Sequence, residues 1–128
     1  MTLREKAQEF VKLHGGNIVG AINLNGLPVS IKVQVGDQMF HIYYSRRWYY
    51  RPDGISIPEN TLEEGIEEKA IIVMYVINDC VWQYASEWIK ISTTLRNSRN
   101  NTTERLIRKE NLLRHSFPTK PQNMEDFF

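Results

Sequence analysis

The sequence predicts an α+β fold: an N-terminal helix, a mainly antiparallel sheet with a hydrophobic central strand, helices packed on that sheet, and an extended C-terminal tail. Three observations predict it. Residues 2–14 follow a helical apolar period that stops at a double glycine, residues 17–44 hold three strand-like runs separated by Asn-Gly and Gly-Asp turns, and residues 70–77, "AIIVMYVI", are apolar without a break. With 128 residues, 41% of them hydrophobic and 24% charged, the chain has the size and composition of one ordinary globular domain with one core. No internal repeat is visible.

Thr2 and Glu5 form a capping-box pattern, after which Leu3, Ala7, Phe10, Val11 and His14 share a face until Gly15-Gly16 ends the helix. "NIVGAINL" reads as a strand, Asn25-Gly26 as a hairpin turn, "LPVSIKVQV" as the partner strand, and Gly36-Asp37 as the turn into "QMFHIYY". "RPDG" at 51–54 has turn chemistry, and the segment after it leads into a short acidic helix capped near Asn60 or Thr61. "AIIVMYVIN" should be the central strand, with "DCVWQYA" beside it. Ser86 is placed to cap a helix through "EWIKISTTL". "ERLIRKENLLRH" reads as a helix, or alternatively a strand, offering Leu106, Ile107, Leu112 and Leu113 to the core. The domain is expected to span 1–115, and the proline-containing remainder, 116–128, to be a flexible tail.

The formal charge of +1 conceals segregation. Six acids and no base lie within residues 53–68, so the rest of the chain carries +7. Part of that excess is concentrated in "FHIYYSRRWYYR", residues 40–51, with six aromatic rings and three arginines. If 39–51 is one strand, Phe40, Ile42, Tyr44, Arg46, Trp48 and Tyr50 face one side, and Met39, His41, Tyr43, Ser45, Arg47, Tyr49 and Arg51 the other. The first face could be core. The second is the harder to bury, because Arg47 and Arg51 would lose their water, and its alternation of cations with rings suits single-stranded nucleic acid. Arginine holds phosphate, and each ring stacks a base for roughly 1–3 kcal/mol with little regard to sequence. The competing reading is an edge strand rich in tyrosine, kept soluble by arginine.

A second basic stretch holds Arg96, Arg99, Arg105, Arg108 and Lys109. The expected nucleic-acid contacts are therefore His41, Tyr43, Arg46, Arg47, Trp48, Tyr49, Arg51 and these five. Single-stranded DNA or RNA is the expected partner. No zinc finger, RNP aromatic motif, GXXG loop or clear helix-turn-helix is present, and no cofactor is expected.

The chain closes on "MEDFF". Glu125, Asp126, Phe127 and Phe128 resemble the acidic, phenylalanine-ending tails of bacterial and phage single-stranded DNA-binding proteins, and that resemblance implies recruitment of replication or repair enzymes. With the aromatic and basic strand, the tail also resembles the small single-stranded DNA-binding proteins of archaeal rod-shaped viruses, which lack the usual five-stranded barrel. This resemblance implies a viral homodimer acting beside a nuclease and a helicase in genome replication.

A rival reading is enzymatic. Pro52-Asp53 followed by Glu67-x-Lys69 resembles the Pro-Asp, Glu-x-Lys signature of restriction-endonuclease-like enzymes. The resemblance implies Asp53 and Glu67 as ligands of Mg²⁺ and Lys69 as the electrostatic helper. In that family the Glu-x-Lys lies within a central strand, whereas here it trails an acidic segment. A third reading is a protein-binding adaptor or inhibitor, since tyrosine, tryptophan and arginine also form protein interface hot spots. The charged N-terminus lacks a signal-peptide pattern, the longest apolar run is too short for a bilayer, and Cys80 is single, so a cytoplasmic location without membrane contact is expected.

Overall fold

A computed structural model describes residues 1–46, 48, 53–77, 79–97 and 102–117; for residues 96, 97 and 102 the description is limited to the backbone. Helix α1 (Leu3–His14) begins with both hydrogen bonds of the capping box, from Glu5 N–H to Thr2 Oγ1 and from Thr2 N–H to Glu5 Oε1. A meander follows: β1 (Asn17–Leu24), β2 (Leu27–Val35) and β3 (Gln38–Ser45). Asn25 and Gly26 both take positive φ, as a tight turn between paired Leu24 and Leu27 requires.

Strand β4 (Gly54–Pro58) and helix α2 (Glu59–Glu67) then carry the chain across to β5 (Ile71–Val76), which pairs parallel to β3. β6 (Asp79–Tyr84) pairs antiparallel to β5 and completes a five-stranded sheet in the order β1-β2-β3-β5-β6. Helix α3 (Ala85–Lys90), strands β7 (Thr93–Asn97) and β8 (Thr102–Arg108), and helix α4 (Lys109–His115) follow, with a second antiparallel sheet in the order β4-β8-β7. The α+β class and the N-terminal helix and meander are as the sequence predicts.

The large sheet has a core on each face. On one, Ala7 and Phe10 of α1 pack on Ile31, Val33, Phe40, Ile42, Ile71, Val73 and Trp82. On the other, Ile72, Met74, Val76 and Val81 meet Leu62 of α2, Trp88 of α3, Ile55, Ile57 and Ile107 of the small sheet, and Leu112 of α4. β5 is therefore covered on both sides, which is why its apolar run does not alternate.

Several local expectations are corrected. "GISIP" is strand β4, and α2 starts at Glu59 with Pro58 as its N-cap rather than at a cap on Asn60 or Thr61. Tyr84, not Ser86, occupies the N-cap position of α3, and the threonines after it lie in β7 because they pair with β8. The segment 104–115 is both readings in succession, strand to Arg108 and then helix; Leu113 is exposed. The extended strand expected over 39–51 ends at Ser45, where its carbonyl accepts from Ile77 N–H.

Ser116 and Phe117, assigned from sequence to a flexible tail, dock on β6. Phe117 N–H donates to the Trp82 carbonyl (2.9 Å), Trp82 N–H donates to Ser116 Oγ (3.0 Å), and the Phe117 ring meets Trp82 and Tyr84 edge-on with centroids 5.8 Å away. An aromatic slot on the strand edge outweighs the local turn chemistry. The remainder of the expected tail, 118–128, lies outside the described residues.

Candidate nucleic-acid interface

Two of the sequence-predicted basic stretches converge. Beyond β3, Arg46 is exposed and Trp48 is half-buried, with part of its ring packed on the core shared by the small sheet and α3. α4 begins beside it. Lys109 N–H donates to the Asp53 carbonyl (3.0 Å), which fixes the start of α4 against the turn before β4, and Lys109 Nζ stands 4.9 Å from the Trp48 ring centroid. Arg108 is exposed next to it, and Asp53, Arg108, Lys109 and Glu110 line a cleft of about 190 Å³. Trp48 thus meets Lys109 from a position sixty residues away in sequence, with Arg108 beside Lys109 and both offset by Asp53 and Glu110; Arg46 is exposed two positions before Trp48.

Three predicted contact residues are used by the fold instead. His41 is fully buried, because α2 lies over that side of β3. Tyr43 packs on the core, and its hydroxyl donates to the Ser56 carbonyl of β4 (3.1 Å), so its ring is no stacking platform. The face judged hard to bury is thus interior as far as Tyr43, since the small sheet and α2 form a second layer that strand alternation cannot reveal. Arg105 donates to Ser92 Oγ (2.9 Å) and Thr94 Oγ1 (2.6 Å) and lies 3.8 Å from Glu59, joining β8 to β7 and α2. Arg47, Tyr49, Arg51, Arg99, Glu125, Asp126, Phe127 and Phe128 lie outside the described residues, as does the side chain of Arg96.

The nuclease residues are not assembled on a strand. Asp53 sits in the exposed turn before β4, and Glu67 is the exposed last residue of α2. Lys69 takes a left-handed φ of 54° as the helix terminates: Lys69 N–H donates to the Ile66 carbonyl and Ala70 N–H to the Gly65 carbonyl, the pattern of a Schellman stop. Glu-x-Lys is here a helix end, and β5 after it carries no charged residue. Among the described residues no group of three His, Cys, Asp or Glu is placed to hold a metal ion.

Sequence reasoning missed a polar cluster under α2. Lys32 of β2 stands opposite His41 of β3 in the ladder, and its ammonium contacts the carboxylates of both Glu64 and Glu68. Glu68 Oε2 lies 3.5 Å from His41 Nε2, too far to satisfy it. Burial pulls the Glu68 carboxyl upward, but Lys32 and His41 outweigh this and hold it below its ordinary value; the two carboxylates likewise outweigh burial and raise Lys32. For His41 burial wins, and its pKa is lowered. The i,i+4 spacing of Glu64 and Glu68 was visible, but not the strand beneath them.

No helix among the described residues is long and apolar enough to cross a membrane. Comparison with protein-family models, curated proteins and solved structures finds no match for this chain.

Proposed function

We propose that this is a non-catalytic nucleic-acid-binding protein that prefers single strands with little dependence on sequence. The observation that carries the reading is the Lys109 ammonium over the half-buried Trp48 ring, with Arg108 beside Lys109 on the same cleft and Arg46 exposed two positions before Trp48 in the sequence. In this reading Lys109 moves from the Trp48 ring to phosphate and leaves that face for stacking, while Arg108 adds a second phosphate contact; in the sequence Arg47 and Arg51 flank the same ring. The terminal Glu125, Asp126, Phe127 and Phe128 serve as the handle for replication or repair proteins, as their resemblance to the tails of bacterial and phage single-stranded DNA-binding proteins implies.

A catalytically degenerate relative of the restriction-endonuclease-like enzymes is the second reading, favoured by the opening helix ahead of a meander. The placement of Glu67 and Lys69 at a helix end speaks against an active member.

The test is a titration of labelled single-stranded and duplex oligonucleotides of equal length at two salt concentrations, with and without Mg²⁺, followed by a denaturing gel. Salt-sensitive binding of intact single strands is expected. Magnesium-dependent cleavage would transfer the assignment to the enzyme, and absence of binding to either form would make the Trp48 surface a protein interface.

A further inference from the structure

Among the described residues, the buried side-chain atoms without a hydrogen-bond partner are Ser30 Oγ, Thr61 Oγ1 and both ring nitrogens of His41. Lys32 and His41 share the side of the large sheet that α2 covers, and strand alternation puts Ser30, two residues before Lys32, on it as well. Thr61 lies one turn before Gly65 in α2 and is fully buried. At Gly65 the helix approaches so closely that a methyl group there would stand 3.6 Å from His41 Nδ1 and 2.8 Å from Ala85 Cβ.

A fully buried imidazole with neither nitrogen satisfied is an unusual element to keep in a helix–sheet seam. The charged groups that face it are Lys32 from β2, Glu64 from α2 and Glu68 at that helix's C-cap; the nearby Ile72 of β5 and Ala85 of α3 are apolar. Glu68 would ordinarily welcome a second proton donor, but its charge is already engaged by Lys32. A proton on His41 would therefore place a second cation in a seam where Lys32 shares the same two carboxylates, and the loss of water around the buried ring outweighs what Glu68 and Glu64 return to it.

We propose that His41 is a pH-sensitive latch: neutral, it lets α2 sit close against β2 and β3, and once protonated it loosens that seam, so that α2 opens more often. α2 is suited to such release. It has nine residues and no side-chain N-cap, so its stability depends on the surface beneath it. It also carries Glu59, Glu63, Glu64 and Glu67, so release moves a block of negative charge and uncovers Lys32.

The sign follows from burial. The exposed ring takes up its proton near 6.5, while the buried ring does so at lower pH. Docking is then complete above that value and weakens as pH falls below it, at most about tenfold per pH unit for a single proton. Glu68, held below 4.5, acts in a separate and more acidic range.

The test is hydrogen exchange of the α2 and β5 amides in the full chain at about pH 7.5 and about pH 5.5, corrected for intrinsic rates, with His41 ring titration by NMR. The α2 amides should lose up to about tenfold of their protection at the lower pH while those of β5 keep theirs, and the ring should titrate below 6.5. His41→Leu should abolish the pH dependence of α2. A ring that titrates at or above 6.5, equal loss in β5, or an unchanged dependence in His41→Leu would each overturn the latch. The ring titration decides the matter if the variant does not fold.

Discussion

Lys32 and His41 stand directly opposite one another in the β2–β3 ladder, and the ammonium of Lys32 contacts both Glu64 and Glu68 while the imidazole of His41 comes no closer than 3.5 Å to Glu68. Replacing Lys32 with Met leaves Glu64 and Glu68 as adjacent anions, one turn apart, at a half-buried seam. The expected loss is about 1–3 kcal/mol at neutral pH, read from denaturant unfolding. Glu68 has a lowered pKa, so the stability it contributes is present above 4.5 and disappears as pH falls through its folded value. Lys32→Met should flatten that acid limb; a limb as steep as before would show that another carboxylate produces it.

The Trp48 surface makes a spectroscopic prediction. Trp82 and Trp88 are buried, 1% and 0% exposed, so Trp48 is the tryptophan that a collisional quencher reaches. Lys109→Ala should increase acrylamide quenching while changing stability by only about 0.5–1 kcal/mol, the size of an exposed cation–π contact. Under the proposed function it should also lower the salt slope of oligonucleotide binding by about one unit. Unaltered quenching would mean that Lys109 does not cover the ring in solution.

Gly65→Ala separates helix propensity from packing. Alanine favours a helix over glycine by about 1 kcal/mol, but here the new methyl would lie 2.8 Å from Ala85 Cβ and 3.3 Å from Ile72 Cδ1. Overpacking should win, for a net destabilisation of about 1–2 kcal/mol. A more stable variant would show that α2 and α3 can move apart freely.

Phe117→Ala should cost about 2–4 kcal/mol in the full chain, from lost burial and two edge-on ring contacts. A change below about 0.5 kcal/mol, the level of an ordinary surface substitution, would return Ser116 and Phe117 to the tail.

Where order is local, the residues declare it. Thr2 and Glu5 announce the start of α1, Asn25-Gly26 the first hairpin and the unbroken apolar run of 71–76 a strand covered on both sides, since each signal lies within a few residues of what it specifies. β7 and β8 were harder to read: Thr93–Asn97 extends because it has β8 to pair with, and nothing in "TTLRN" says so. The same limit hid the polar seam, where Glu64 and Glu68 look like a solvated helix face until Lys32 arrives from thirty residues earlier.

The sequence by itself determined the α+β class, the opening helix and meander, the buried strand and the segregation of charge. Only the tertiary structure decided which side chains meet solvent. Alternation along β3 correctly separates His41 and Tyr43 from Phe40 and Ile42, but burial depends on whether a second layer covers a face, and here both faces are covered. His41 and Tyr43 thereby leave the candidate interface, while Trp48 and Lys109 acquire each other through a contact between elements sixty residues apart, beyond the reach of any local period.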